Sequence, residues 1–444
     1  MSLADLSQVT TLANGVRVVT AHMPHVATTS LGVWVGVGAR HESLGQSGIS
    51  HLLEHMAFKG TTARTARQIA EEIEAAGGEI NAATSLEQTA YYARILGGDE
   101  RLALDILADI LLNSAFDPNE LERERDVILQ EIAATQDSPD EIAYDLIQDA
   151  AFPGQALGRP ILGTKSSVEA ATADDLRAFL ARHYRPSAMI ISAAGAALHS
   201  DIVRHAEALF GALREPAEEG VSIGDAAARY VGGVRSSQKS FEQSHVLIGF
   251  EAPPYGRPDS FTAQVLSGLL GGGMSSRLFQ EVREKRGLCY SIYSSAWGLE
   301  DSGMFQIHAA SAPSSVRELV DVVAAELAEL AAIGPQQNEV DRAKAQLKAG
   351  LLMSLESSGA RAEQMARHLL AYGRVLTPTE LVTSVDAVDS DRVRDLARDM
   401  IGRPPSTVIV GSGKKSSADA AAAHAVVTGL SNRPAADVGA AARI

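Results

Sequence analysis

The 444-residue sequence contains a single cysteine, Cys289. That excludes an internal disulfide and any thiolate cluster, so a metal site here has to be built from histidine and carboxylate. Cys289 sits in the apolar triplet LCY and reads as a small buried side chain rather than a nucleophile. Long hydrophobic runs are missing as well. The most apolar early stretch, LGVWVGVGA, is too short and too glycine-rich to span a bilayer. The opening residues, MSLADLSQVTTLANG, lack the basic region and apolar core of a secretory signal, and the expectation is a cytoplasmic protein with no membrane span. Positive charge is scarce: 39 basic residues stand against 55 acidic ones, a net charge of -16. This argues against a nucleic-acid partner and is permissive for basic peptides or proteins.

Apolar residues make up 45% of the chain and charged residues 21%, normal for a globular protein. The length exceeds one ordinary core, so two or more domains are expected. Residues 8–40 alternate in the manner of strands, with an Asn-Gly turn at 14–15. From Gly48 to Phe58 the pattern turns helical, and residues 65–76 predict a second helix stopped by Gly77-Gly78. EINAATSLEQTAYYARIL reads as strand, turn and strand. Helices follow at about 99–113 and 118–136, then at 173–184 before the strand AMIISAAG.

The second half repeats this order. SHVLIGFEAP matches TSLGVWVGVG in place and pattern, and QNEVDRAKAQLKAGLLMSLES matches PNELERERDVILQEIAATQDS. The spacing predicts an α+β fold of two copies of one unit, each a sheet with helices packed on it. Residues 1–213 form the first domain and 231–412 the second, joined by an acid-rich linker at 214–230. The alanine-rich tail, 413–444, is expected to pack poorly. Aligning Asn119 with Asn338 sets Glu124 opposite Ala343 and Glu131 opposite Gly350. Only the first copy carries the carboxylates, which assigns the chemistry to the N-terminal half.

The segment HLLEH places His51 and His55 four residues apart, where a helix stacks both imidazoles on one face within reach of a shared ion. Glu54 lies one residue before the second histidine, beside any metal-bound water; H-x-x-E-H is the inverse of the zincin motif. Catalytic zinc takes a third protein ligand, and the helix 118–136 offers Glu120, Glu122, Glu124 and Glu131. Glu124 and Glu131, two turns apart, share a face. Such a face suits either a solvated edge or one ligand plus a carboxylate that orients a histidine.

HLLEHMAFKGT, GGEINAATSLEQTAYYA and LERERDVILQEI together closely resemble the pitrilysin/insulinase-type (inverzincin) metallopeptidases. The pattern is nearest to the β subunit of mitochondrial processing peptidase and its single-gene bacterial relatives. The likeness runs from about residue 9 to 412. It implies one zinc per chain held by His51, His55 and Glu131, with Glu54 activating water and Glu124 in support. It implies a half-clamshell of two homologous sandwich-like units. It also implies that Asn81, Ala82 and Ala83 bind substrate at a strand edge, adding a peptide strand there.

Glu141 and Asp145, four apart on the next helix, fall where processing peptidase grips an arginine upstream of its cut. They read either as solvated surface or as a fork for a guanidinium. VREKRGLCY resembles the family's R-x6-Y element, and the resemblance assigns Arg283 and Tyr290 to holding substrate and stabilising an oxyanion. Each alone would also serve a structural purpose. The family plan implies a peptide substrate and a dimeric chamber, formed as a homodimer or as a heterodimer with a sister chain. The expected function is a zinc endopeptidase preferring basic sites. The alternative is a non-catalytic core-type subunit or peptide-binding partner.

Overall fold

A computed structural model describes residues 7–215 and 227–432. The Asn14-Gly15 turn, with Gly15 at φ +99°, joins β1 (Ser7–Thr11) to β2 (Arg17–His22) as an antiparallel hairpin. β3 (Thr28–Val35), α1 (Ile49–Ala57), α2 (Ala66–Ala75), β4 (Glu79–Thr84) and β5 (Thr89–Leu96) follow. Then come α3 (Glu100–Leu112), α4 (Pro118–Thr135), α5 (Pro139–Ala151), α6 (Lys165–Ala170) and α7 (Ala173–His183). β6 (Met189–Gly195) and α8 (His199–Phe210) close the first half. Thr65, Thr164 and Thr172 start α2, α6 and α7 with reciprocal side-chain and backbone bonds to the third helical residue, which satisfies the otherwise orphan amides there.

The second half runs β7 (Gly233–Glu251), α9 (Asp259–Gly271), β8 (Cys289–Gly298), β9 (Gly303–Ser311), α10 (Val316–Ile333) and α11 (Gln337–Ser354). It ends with α12 (Ser358–Tyr372), α13 (Pro378–Asp386), α14 (Ser390–Ile401), β10 (Ser406–Ser412) and α15 (Ser416–Thr428).

Two units result, each drawing on separated stretches of chain. Of the described residues, the first comprises 7–133, 159–215 and 352–378; the second comprises 134–158, 227–351 and 379–432. The first unit holds a six-stranded sheet in the order β1-β2-β6-β3-β5-β4, antiparallel except where β2 meets β6. In the second the order is β10-β7-β9-β8. β7 is long enough to serve twice: Ser406 of β10 lies opposite both Gly233 and Gly249 of that strand. Counting its two arms separately, the second sheet repeats the strand order β2-β6-β3-β5-β4 of the first. The two-unit α+β architecture expected from the internal repeat is what the chain adopts.

α1 is only nine residues long, below the roughly 12–15 at which an isolated helix becomes even marginally stable in water. Packing holds it. Ile49, Leu52, Leu53 and Met56 are each at most 2% exposed in one core with Leu31, Val33, Ile106 and Ile128. Each such side chain contributes about 1.5–3 kcal/mol on burial, which outweighs the short helix's nucleation cost. The opposite face of the same sheet is covered by α12, whose Met365 and Leu369 meet Val19, Trp34 and Ile190.

α4 and α11 are both 18 residues long and start one residue before the aligned asparagines. Ala343 on α11 is buried and Gly350 is exposed, so the second unit presents no carboxylate at either position. The expectation of a poorly packed tail needs correction. Residues 416–428 form α15, and Ala420, Ala423, Val427 and Leu430 join the core of the second unit. Alanine gives a good helix, and the small side chains let it lie close against β7 and β10. Most of the expected linker, residues 216–226, lies outside the described residues, as do residues 433–444.

Candidate metal centre

With its apolar stripe turned inward, α1 necessarily presents His51, Glu54 and His55 along the other side. One turn apart, the two imidazoles stand with ring centroids 4.6 Å from each other. α4 is anchored in the same core by Leu121 and Ile128, and that anchoring brings Glu124 and Glu131 to the histidines. Glu131 Oε2 lies 3.8 Å from His51 Nε2, and its Oε1 lies 3.8 Å from His55 Nε2. One ligand atom from each of the three residues falls within 4.8 Å of the others, the one such group among the described residues. Zinc bonds of about 2.0–2.2 Å at tetrahedral angles separate ligand atoms by roughly 3.4 Å. The two Glu131 contacts at 3.8 Å exceed that separation by a few tenths of an ångström.

The electrostatics suit the same purpose. Burial, helped by the neighbouring His55, pushes the His51 imidazole down to about 4, so it is neutral at neutral pH as a ligand must be. His55 Nδ1 donates to Glu124 Oε2 at 2.9 Å, which fixes the proton on Nδ1 and leaves the Nε2 lone pair for a metal. Glu124 is 6% exposed. Its other oxygen takes Lys59 Nζ at 2.7 Å, so a buried anion is balanced by one cation and one imidazole. Glu54 is outside the ligand group. Its Oε2 and His51 Nδ1 are buried with no hydrogen-bond partner among the described residues. The Tyr91 and Tyr184 hydroxyls meet at 3.0 Å, and burial together with the Glu54 charge holds both phenols protonated, Tyr184 at about 12.

β4 lies at the edge of its sheet and, among the described residues, pairs only with β5. Asn81 and Ala83 are exposed on it and Ala82 is buried. Thr84 Oγ1 reaches the Ser50 carbonyl at 3.5 Å, tying the end of this strand to α1. The first unit therefore gathers His51, Glu54, His55, Glu124, Glu131 and the β4 edge.

Glu141, Asp145, Arg283 and Tyr290 belong to the second unit. Glu141 is exposed and Asp145 part-buried, and burial plus the charge of Glu141 push the Asp145 carboxyl up to about 6. The Arg283 guanidinium stacks over Phe279 at 4.6 Å and over Tyr290 at 5.4 Å. Tyr290 is 75% exposed. Cys289 is buried, and burial pushes its thiol up to about 11, in keeping with a packing role. Lys59, Tyr91 and Tyr184 were not singled out from the sequence. Lys59 lies inside the HLLEHMAFKGT stretch, but nothing in its spacing marks it as the counter-ion of a glutamate on another helix.

Two imidazoles and one carboxylate on neighbouring helices, with a carboxylate-oriented histidine, are a donor set that fits a three-ligand zinc centre. Residues 17–165 match the insulinase family of peptidases (family M16), and residues 170–347 match that family's inactive domain. The chain belongs to the insulinase family. An uncharacterized zinc protease of Streptomyces coelicolor is 40% identical over 90% of this chain and 89% of its own length. The uncharacterized zinc protease YmxG of Bacillus subtilis is 38% identical over 88% of this chain and 94% of its own. The crystal structure of a protease from Helicobacter pylori shares the fold, with a TM-score of 0.84, 24% identity and coverage of 91% of this chain and 99% of that one. Zinc is the cofactor, and the match of the second half to an inactive domain agrees with its lack of ligands. No helix among the described residues is long and apolar enough to cross a membrane.

Proposed function

We propose that the chain is a zinc metalloendopeptidase whose ligands are His51, His55 and Glu131 and whose general base is Glu54. The observation that carries this reading is the closed ligand triangle with an unligated carboxylate on the same helix turn. Zinc held there supplies Lewis acidity, acidifying water and polarising a peptide carbonyl. The Glu54 carboxylate accepts the proton of the attacking water and returns it to the leaving amine. Glu124 keeps the His55 proton on Nδ1 throughout. A substrate strand adds to the open edge of β4 at Asn81–Ala83, which holds the peptide backbone extended for attack. The exposed Tyr290 phenol, held against Arg283, is a donor suited to a developing oxyanion. A non-catalytic subunit or peptide-binding partner would not need the base, and this chain keeps base and ligands alike. The enclosure is a dimer of this chain or a heterodimer with a sister chain. The first predicts a particle of twice 46.7 kDa by light scattering, and a monomer would remove it.

Glu141 and Asp145 set a preference for arginine two residues before the cut. Neither has a basic partner among the described residues, and a guanidinium would offset the burial and the Glu141 repulsion that raise Asp145. Cleavage of a peptide library, read by product masses, tests this. Wild-type protein should favour arginine at that position, and E141Q/D145N together should erase the preference while still cutting. The Asp145 carboxyl must be ionised to act, so the preference should fade as pH drops through about 6. An unchanged cleavage pattern in the double variant returns the pair to the solvated surface, and no zinc-dependent cleavage at all refutes the peptidase.

A further inference from the structure

α1 begins without a side-chain cap. Its N-cap position is Gly48, at φ +90°, so no Ser, Thr, Asp or Asn is present to receive the first free amides. Two of those amides are nonetheless satisfied. Glu42, six and eight residues upstream, accepts from Gly48 N through Oε2 at 2.7 Å and from Ser50 N through Oε1 at 2.8 Å. Glu42 is 1% exposed. Arg159 donates through Nη2 to the Glu42 backbone carbonyl, and its guanidinium is an electrostatic partner of the carboxylate. The seat is tight: a Cβ on Gly48 would come within 2.6 Å of the Leu162 carbonyl, and one on Gly163 within 2.3 Å of the Ser47 carbonyl.

We infer that Glu42 is a positioning residue for the metal centre: it fixes the first turn of α1, and through that turn the His51 imidazole. The inference rests on the reading of α1 as the zinc-bearing helix. His51 is the third residue of α1, directly after Ser50, whose amide Glu42 holds, and it belongs to the first turn. His55 is held from another side by Glu124. His51 has no such support, since its Nδ1 has no hydrogen-bond partner among the described residues. Its placement therefore depends on the backbone beneath it, and two amides at the start of that backbone, Gly48 N and Ser50 N, are held by one carboxylate. Two acceptor oxygens are required at once, which makes glutamine a poor substitute: its amide nitrogen would face a backbone N–H.

The test measures zinc release into excess chelator, together with kcat and KM on a peptide carrying arginine. E42Q should remain folded, release zinc about 10–100-fold faster, the range that residues supporting metal ligands command, and lose kcat with KM nearly unchanged. E42D retains charge and both oxygens and should lie closer to wild type. D109N is the control for stability alone: Asp109 is a buried carboxylate bonded to Thr61, Arg64 and Asn113 in the same unit. It should lower the melting temperature and leave the zinc release rate as it was. Should E42Q fail to fold, E42D decides, with several-fold faster release supporting the inference and a wild-type rate overturning it. Folded E42Q that releases zinc within twofold of wild type, or D109N that releases it as fast as E42Q, overturns the positioning role alone. Wild-type protein that binds no zinc overturns both this inference and the reading beneath it.

Discussion

Glu54→Gln leaves about one zinc on each chain and lowers kcat by about 10²- to 10⁴-fold, the range carried by a positioned general base. The separation of the two effects follows from the site. Glu54 is not among the residues whose atoms converge on the ion position, and one of its oxygens is buried with no hydrogen-bond partner among the described residues. Glutamine preserves its volume and removes its ability to take a proton. Metal analysis alongside peptide turnover checks both halves. A variant with near-normal turnover would remove Glu54 from the mechanism, and one that lost its zinc would make it a ligand.

Glu131→Gln should have the opposite signature, losing activity because it loses metal. Glu131 is the anionic member of the triangle, facing both imidazoles at 3.8 Å. Without it two histidines remain, and two ligands fall short of a catalytic zinc site. Zinc affinity should fall by more than about 100-fold, beyond the 10–100-fold expected for Glu124→Gln, which only orients His55. Competition with a chelator of known affinity measures both. Equal losses in the two variants would mean that Glu131 does not bind the ion directly.

Much of this centre was legible in the sequence because its parts are local. His51, Glu54 and His55 lie within five residues, and helical periodicity alone puts the imidazoles together. Glu124 and Glu131 share a face by the same arithmetic. Spacing could not choose Glu131 over Glu120, Glu122 or Glu124 as the ligand; the family likeness made that assignment, and the distances to both imidazoles agree with it. The capping of α1 by Glu42 was illegible, because the carboxylate comes from outside the cap position and reaches back through a fold in the chain. The packing of α5 in the second unit and of α12 in the first is equally hidden, since each joins a sheet built from distant sequence. α15 was misread because its alanine composition is that of a low-complexity tail. What makes it a core helix is the surface of β7 and β10, which composition does not reveal.

One zinc, held by His51, His55 and Glu131, should be what makes this chain a peptidase. Titrating zinc back into chelator-stripped protein while following peptide hydrolysis tests it most directly. Hydrolysis should be absent at the start, rise in proportion to added zinc and break at one zinc per chain. Hydrolysis that survives stripping, or zinc that binds at this stoichiometry without restoring it, would contradict the account.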